Sequence, residues 1–313
     1  MVRFGIIGCG KITERFLTGC RLCDDADVVA AASRDLQKAE VYCARHDIDR
    51  AYGSYEALCA DNTVDAVYIA TPPFSHYRIA RMALESGKHV LCEKPFVANE
   101  DEVKALFGLA RERGLLIMEA MKAVFTPTTL KVKEWLEAGL IGMLKYAEAG
   151  YCYDAPFDFE HWVYDPERMG GGMLDVGVYA IAYLNELISH EIVESVALKT
   201  LSPTGCDEFM QILIKYDNGV QASVRGALSV TTKNTAYFYG TQGYIEVDQF
   251  WKSKKAQLVL YNGESVDFED EFPSEFKFQI EHFAACIKKG TFESPVMGEQ
   301  ASLAIIRLIN QHL

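Results

Sequence analysis

Residues 2–13 read VRFGIIGCGKIT, a short apolar run that leads into a glycine-containing turn and then into a helix-like segment. A strand, a glycine turn and a helix in this order are typical of sites that hold the pyrophosphate of a dinucleotide. Gly8 permits the tight turn, and Gly10 lets the backbone approach a phosphate. Lys11 and Ile12 then open the helix, whose free backbone N–H groups and positive dipole end attract the anion.

Thr13 stands where this glycine pattern has its third glycine. Its bulk is expected to loosen the packing of helix on strand slightly. Its hydroxyl is a candidate contact for a phosphate group.

The end of the second strand indicates which dinucleotide is bound. An NAD site usually carries an acid about 20 residues after the glycines, where it binds the ribose 2′-hydroxyl. Here the chain has Ser33 and Arg34, with Lys38 one turn further on. A carboxylate repels a 2′-phosphate, whereas a hydroxyl and a guanidinium bind it. The sequence therefore favours NADP, with NAD as the second choice because Asp35 lies close to the strand end.

The first third of the chain alternates apolar runs with helix-like segments, which indicates a doubly wound parallel sheet covered on both faces. The predicted strands are Val2–Gly8, Val28–Ala32, Ala66–Ala70, His89–Cys92 and Leu115–Met118. The predicted helices are Ile12–Leu22, Leu36–His46, His76–Ser86 and Glu100–Arg113. In such a sheet the loops after the strands face the ligand, so Thr71, Pro72 and His76 are candidate cofactor contacts.

The rest of the chain predicts an α+β domain with an open, predominantly antiparallel mixed sheet. Its predicted strands are Leu144–Tyr153, Ile192–Thr200, Phe209–Tyr216, Val220–Ser229, Ala236–Gly240, Ile245–Val247 and Leu258–Tyr261. Its predicted helices are Thr129–Ala138, Met173–Ile188, Phe276–Lys288 and Glu299–Gln311. The change from alternating strands and helices to a series of strands predicts a nucleotide-binding domain over residues 1–120 and a substrate-binding and dimerisation domain over residues 121–313.

Composition narrows the class of protein. A chain of 313 residues favours two domains, and a net charge of −13 disfavours nucleic-acid binding. We expect neither a signal peptide nor a membrane span, because no apolar run approaches the length that either needs. The nine cysteines are read as reduced thiols of a cytoplasmic protein. No ligand set has metal spacing, so no metal is predicted.

Residues 87–95 read GKHVLCEKP and residues 170–179 read GGGMLDVGVY. These two motifs resemble those of the glucose–fructose oxidoreductase/inositol dehydrogenase family. Together with Met118-Glu119-Ala120, they look most like the dimeric dihydrodiol dehydrogenases and the NADP-dependent aldose dehydrogenases of that family. The resemblance implies a Rossmann domain followed by an open-sheet domain whose exposed face forms a homodimer.

The resemblance also implies roles for single residues. It places Glu93 beside the cofactor and Lys94 in the active site, often with a cis peptide bond before Pro95. It places Asp175 and Tyr179 opposite the nicotinamide ring. Tyr179 is expected to act as acid or base, Lys94 as its electrostatic partner and Asp175 as support, because an ammonium lowers the pKa of a phenol from its usual value of about 10.

The chain departs from these relatives at the expected substrate pocket. They usually read Glu-Ala-x-Trp-x-Arg-Phe, whereas residues 119–125 here read EAMKAVF. Lys122 and Phe125 are therefore predicted to line the pocket. Tyr153 and Trp162 belong to a polar and aromatic stretch, with Phe157, Glu160 and His161, that suits a sugar ring.

Three functions remain open at this point. The first is an NADP-dependent dehydrogenase or reductase of a polyhydroxylated ring, either an aldose or a cyclic trans-diol. The second is a redox-neutral glycosidase that uses bound nicotinamide transiently, as some family members do. The third is a nucleotide-binding sensor without turnover.

Overall fold

The computed structural model describes residues 1–156, 158 and 161–313. The chain forms two compact units, residues 1–120 with 273–303 and residues 121–272 with 304–313. It leaves the first unit after residue 120, and residues 273–303 return to it. The sequence-based division placed all residues after 120 in a single domain, whereas here residues 273–303 belong to the first unit.

The first unit contains a six-stranded sheet whose neighbouring strands are all parallel. Its strands are β1 (Val2–Ile7), β2 (Ala26–Ala32), β3 (Arg50–Tyr52), β4 (Ala66–Ile69), β5 (His89–Glu93) and β6 (Ile117–Ala120). The order in space is β3-β2-β1-β4-β5-β6. The connections therefore reverse direction between β1 and β4, and ligands bind where loops diverge from such a point.

The described part of this unit contains six helices. They are α1 (Lys11–Cys20), α2 (Leu36–His46), α3 (Tyr55–Cys59), α4 (His76–Glu85), α5 (Glu100–Arg113) and α8 (Phe276–Lys288). Five of them lie close to their predicted positions, and α3 lies in a stretch without a clear hydrophobic period. The sequence did not reveal α3 and β3, which have five and three residues. Elements this short do not show a hydrophobic period.

The second unit contains an eight-stranded sheet in the order β14-β13-β12-β11-β7-β10-β9-β8. Its strands are β7 (Leu144–Cys152), β8 (Ile192–Leu201), β9 (Asp207–Tyr216), β10 (Gln221–Ala227), β11 (Ala236–Gly240), β12 (Gly243–Val247), β13 (Lys255–Leu260) and β14 (Ser265–Glu269). Among the described strands of this sheet, only β7 and β10 pair in parallel. This sheet and the parallel one confirm the predicted fold class.

The two faces of this sheet differ in polarity, as the strand register shows. One row of residues, in register on five neighbouring strands, is buried and apolar: Ile212, Val224, Ala149, Ala236 and Val247. The neighbouring row faces the other way and contains Val196, Leu213, Ser223, Glu148, Tyr237 and Glu246. A sheet with one buried apolar face and one outer face of mixed polarity shows an alternation of residue types along each strand, which is why the sequence revealed most of these strands.

The remaining helices are α6 (Pro127–Glu137), α7 (Val178–Ile188) and α9 (Glu299–Asn310). The predicted helix over Met173–Ile188 is in fact two pieces, because Met173–Gly177 form a wider π-helical turn before α7. The sequence also missed β14, an edge strand with four exposed residues of five.

Candidate active site

Gly8 lies where the ends of three strands of the first unit meet. Its backbone φ is +100°, a left-handed value that favours glycine. Its N–H donates a hydrogen bond of 3.0 Å to the carbonyl of Ala32. A Cβ at this position would lie 2.8 Å from the carbonyl oxygen of Ala70, so any side chain would collide with the β4 end. The fold itself therefore requires Gly8.

Gly10 has a different reason to be glycine. It is the N-cap of α1 with extended backbone, and a Cβ there would meet nothing within 4 Å. No side chain among the described residues caps α1, whereas Asp35 caps α2 and Asn99 caps α5. Open space in front of an uncapped helix start fits the approach of a pyrophosphate. The two residues that follow differ in exposure, since Lys11 is exposed and Ile12 is half-buried.

The Thr13 hydroxyl is used inside the protein. It donates to the carbonyl of Gly10 at 2.6 Å and accepts a hydrogen bond of 2.8 Å from the Tyr42 hydroxyl. The Thr13 side chain is fully buried. The expectation that this hydroxyl contacts phosphate was therefore wrong, because it joins α1 to α2 instead.

The end of β2 carries the charges that the sequence predicted. Arg34 and Lys38 are exposed, and Ser33 is buried. The Asp35 carboxylate accepts a hydrogen bond from the Lys38 backbone N–H at 3.3 Å, which fixes it as the cap of α2. Burial raises the pKa of the Cys9 thiol in the glycine turn to about 11, and the nearby Lys38 ammonium acts in the opposite direction.

The loop after β4 is held in place by His76. The ring is fully buried; its Nε2 lies 2.8 Å from the Thr71 carbonyl and its Nδ1 lies 3.0 Å from the Pro95 carbonyl. Burial also lowers the pKa of His76. The expected contact of His76 with the cofactor is therefore corrected, because the ring links two loops and exposes no atom to a ligand. Pro72 is exposed in the same loop, and Thr71 is half-buried.

Glu93 and Lys94 follow one another at the end of β5. The Tyr68 hydroxyl donates to Glu93 Oε1 at 2.5 Å, and the Lys94 N–H donates to Glu93 Oε2 at 3.3 Å. Glu93 is buried and Lys94 is half-buried. The Lys94–Pro95 peptide bond is cis, as the resemblance implies.

Glu119, at the end of β6, is a buried acid that the sequence motifs did not predict as a site residue. The Ser302 hydroxyl donates to its Oε2 at 2.9 Å. Burial raises the pKa of Glu119 to about 7, a rise that Glu93 adds to and Lys94 opposes. The signal that could have found it is its position, since a carboxylate directly after a buried parallel strand faces the ligand edge of the sheet.

In the second unit, Asp175 lies in the π-helical turn and is nearly buried. The Tyr153 hydroxyl donates to Asp175 Oδ2 at 2.8 Å. Burial and this carboxylate both raise the pKa of Tyr153, so its phenol stays protonated. Tyr153 thus contacts a predicted catalytic residue directly.

Asp207 holds the start of this turn and was also missed. Its carboxylate accepts a hydrogen bond of 2.7 Å from the Met173 N–H. Burial raises its pKa to about 6. Gly171 has a φ of +121°, and a Cβ there would overlap Asp207 Oδ1 at 2.1 Å. This glycine is therefore fixed by packing of the second unit itself.

Tyr179, on α7, lies in a cluster of aromatic rings beside a buried ammonium. Its ring centroid is 6.1 Å from that of Tyr151, which stacks on Trp251 at 3.9 Å. The Lys122 Nζ lies 5.1 Å from the Tyr179 ring centroid. Lys122 is only 3% exposed and packs against Tyr179, and its predicted place in the substrate pocket stays a prediction.

The other predicted pocket residues lie in the second unit as well. Phe125 is buried, and Trp162 is half-buried against a small cluster that includes Val163 and Leu228. Phe157 and Glu160 of the same aromatic stretch lie outside the described residues.

Among the described residues, no group of three or more His, Cys, Asp or Glu side chains has the arrangement of a metal site. None of the described helices combines the length and apolar character that crossing a membrane requires. All nine cysteines are free thiols.

The fold and these residues define a class of protein, and comparison with known families identifies it. The family model described as "Oxidoreductase family, NAD-binding Rossmann fold" matches residues 2–121, and the GFO/IDH/MocA C-terminal domain matches residues 129–246. The chain therefore belongs to the glucose–fructose oxidoreductase/inositol dehydrogenase family, and it is a nicotinamide-dependent oxidoreductase that acts on CH–OH groups. This confirms the predicted family and the predicted enzyme class.

Similar proteins include several named dehydrogenases. The chain is 34% identical to trans-1,2-dihydrobenzene-1,2-diol dehydrogenase of Mus musculus over 95% of its own length and 91% of that protein. It is 30% identical to the scyllo-inositol 2-dehydrogenase (NADP(+)) IolU of Bacillus subtilis (strain 168), over 99% and 96%. The 3-ketoreductase KijD10 of Actinomadura kijaniata, solved with NADP and TDP-benzene, has a TM-score of 0.87 at 27% identity over 99% and 96%.

Proposed function

We propose that this protein is an NADP-dependent dehydrogenase or reductase that transfers hydride between the nicotinamide ring and a polyhydroxylated ring substrate, an aldose or a cyclic trans-diol. Gly10 is the observation that carries the nucleotide half of this proposal. Helix α1 has no side-chain cap at its start, and the space in front of it is open. The residue at this point is glycine, which has no Cβ to occupy that space. That arrangement suits a bound pyrophosphate.

The preference for NADP is supported by charge at the end of β2. Arg34 and Lys38 are exposed there, and the competing acid Asp35 is engaged as the cap of α2. A guanidinium that binds a phosphate monoester contributes about 1.5–3 kcal/mol when well placed. The names of IolU and of the KijD10 complex, both with NADP, point the same way.

The proposed chemistry assigns proton transfer to Tyr179. When bound, NADP supplies the hydride acceptor or donor at its nicotinamide ring. Tyr179 takes the proton of the substrate hydroxyl during oxidation and returns it during reduction. Lys94 is proposed to favour the phenolate by its positive charge. Asp175, which accepts the hydrogen bond from Tyr153, is proposed to orient the substrate hydroxyls.

The substrate class is proposed from the aromatic and polar residues of the second unit and from the relatives. Tyr151, Tyr153 and Trp162 are half-buried rings, and such rings stack on the apolar faces of cyclic polyols. The relatives named above act on a dihydrobenzene diol and on an inositol.

The test is a screen of aldoses, inositols and cyclic diols with NADP and with NAD, followed by absorbance of the reduced nucleotide. We expect Tyr179→Phe to lower kcat by about 100-fold or more, the usual loss of an acid/base group. An unchanged kcat would contradict the assignment. Cleavage of a glycoside without net reduced nucleotide would instead support the redox-neutral glycosidase, and nucleotide binding without any turnover would support the sensor.

Arg34→Ala tests the cofactor preference separately. We expect the KM for NADP to rise about tenfold or more while the KM for NAD stays the same, from the lost charge-assisted contact. Arg45→Ala is the matched control, because Arg45 is also exposed but lies in the last turn of α2. Equal weakening of both nucleotides would overturn the preference.

We also propose that the protein is a homodimer through the open face of the second sheet. Val196 and Leu213 are paired across β8 and β9 and are 60% and 50% exposed, and Leu198 is 81% exposed. Exposed apolar side chains grouped on one sheet face are typical of an interface. We expect Val196→Lys with Leu213→Lys to convert a dimer to a monomer by light scattering, and Val41→Lys, at a residue 54% exposed on α2, to have no effect.

The free cysteines support a proposal of cytoplasmic location. Eight of the nine are buried, and burial raises the pKa of Cys92 and Cys59, which keeps these thiols protonated. Alkylation in intact cells, followed by mass spectrometry, is expected to find all nine reduced, since reducing compartments keep thiols so. Disulfide-linked peptides would contradict this location.

A further inference from the structure

Lys122 is a buried ammonium in the short segment that follows β6. Its side chain is 3% exposed, and its Nζ donates a hydrogen bond of 3.2 Å to the carbonyl of Trp251. The same Nζ lies 5.1 Å from the ring centroid of Tyr179. All three residues belong to the second unit.

A buried lysine needs strong compensation. Moving an ammonium out of water is costly unless hydrogen bonds and favourable charges replace the lost hydration. The Trp251 carbonyl supplies one hydrogen bond, and the electron-rich ring of Tyr179 supplies a cation–π contact. A phenolate would attract the ammonium more strongly than a phenol does, because its negative charge extends into the ring.

We propose that Lys122 is a positioning residue for Tyr179, whose ammonium holds the ring in place and stabilises the phenolate relative to the phenol. This inference rests on the proposed role of Tyr179 as acid and base. It gives the phenol a source of positive charge within its own unit, separate from Lys94. The positive charge at position 122 would then shift the pH range of the reaction.

Other charged and titratable groups around the cluster act on the same equilibrium. Tyr151 contacts the Tyr179 ring, and Tyr153 carries its hydrogen bond to the Asp175 carboxylate, whose negative charge opposes phenolate formation. The Lys252 ammonium lies 5.6 Å from the Trp251 ring, but its side chain is exposed, so solvent screens its charge from Tyr179. Lys122 is the buried member of this set that faces Tyr179, so its contribution is screened least.

The test is Lys122→Met, which keeps most of the side-chain length and removes the charge. An opposite charge at about 4–6 Å changes the pKa of an acid by about 1–3 units, so we expect the apparent pKa in the kcat profile to rise by about one unit or more. At a pH below that pKa, oxidation slows about tenfold for each unit. Reduction needs the protonated phenol, so its activity extends to higher pH in the same variant.

Opposite pH effects in the two directions separate this role from a purely structural one, since misfolding lowers both rates at every pH. Lys122→Arg keeps the charge and is expected to keep the profile near that of the wild type. Lys252→Met is the matched control and is expected to leave the profile unchanged. An unshifted profile in a folded Lys122→Met variant would overturn the inference.

A titration without turnover provides a second measurement. The ultraviolet absorbance of tyrosinate, taken as the difference between each protein and its Tyr179→Phe counterpart, reports the ionisation of Tyr179 alone. We expect this ionisation to move to higher pH in Lys122→Met and in Lys122→Gln. If Tyr179→Phe retains full activity while this shift is present, the proposed function fails and the electrostatic inference stands.

Discussion

Glu119 makes the stability of the first unit depend on pH, and replacing it by glutamine is expected to remove that dependence. In the folded protein burial raises its pKa from 4.5 to about 7. Below the unfolded value both states hold the proton, so the group contributes nothing. As the pH rises from 4.5 to about 7 the unfolded chain ionises first, and the folded state loses stability relative to it.

The size of the effect follows from the pKa difference. One pKa unit corresponds to about 1.36 kcal/mol, so the folded protein loses roughly 3 kcal/mol over the whole window. Between pH ~5 and ~8 the expected loss is about 2–3 kcal/mol. Glutamine has the shape of the protonated acid and keeps an oxygen that can accept from Ser302, so Glu119→Gln is expected to fold.

The assay is urea denaturation of the wild type and Glu119→Gln across this pH range. We expect the free energy of unfolding of the wild type, relative to that of the variant, to fall by about 2–3 kcal/mol as the pH rises. Asp207, whose pKa is raised to about 6, is present in both proteins and cancels in the difference. Glu112→Gln, at an exposed position on α5, is the matched control. A constant difference between wild type and Glu119→Gln would refute the reasoning.

Two further predictions concern stability. Thr13→Val removes a hydroxyl that donates to the Gly10 carbonyl and accepts a hydrogen bond from Tyr42. We expect the free energy of unfolding to fall by about 1–3 kcal/mol in this variant and by less in Thr13→Ser, as measured by thermal unfolding. Asp207→Ala leaves the buried Met173 N–H without its acceptor, and we expect a similar loss of about 1–3 kcal/mol by denaturant unfolding. If Asp207→Asn, which keeps an acceptor, is as unstable as Asp207→Ala, the hydrogen bond is not the cause.

His76 and Lys122 are both more deeply buried than their positions in the chain led us to expect. Both residues were assigned to ligand contacts because of their place in the chain, at the start of a helix after a strand and in the expected substrate pocket. The structure buries both and turns their nitrogens towards backbone carbonyls of Thr71, Pro95 and Trp251. Position in a motif specifies the backbone path, but it does not specify the direction of a long side chain.

Apart from β3 and α3, the sequence alone determined the parallel sheet, its helices and the glycine turn, because each depends on local information. Buried strands read as continuous apolar runs, helices show their period and their caps, and Gly8 is required by a backbone conformation. Helix α5 ends where the sequence places it because Asn99 caps its start and Gly114 follows its end in left-handed conformation. The family resemblance predicted Lys94, Asp175 and Tyr179 as site residues, and it too rests on short local motifs.

Only the tertiary structure decided which distant side chains meet. Glu119 contacts Ser302, Asp175 contacts Tyr153, and Tyr179 contacts Lys122. These partners are far apart in the chain, so no local sequence pattern predicts the contacts. The return of residues 273–303 to the first unit is of the same kind. Burial and charge at a site depend on neighbours brought together by folding, so the pKa of Glu119 and the surroundings of Tyr179 follow from packing and not from sequence spacing.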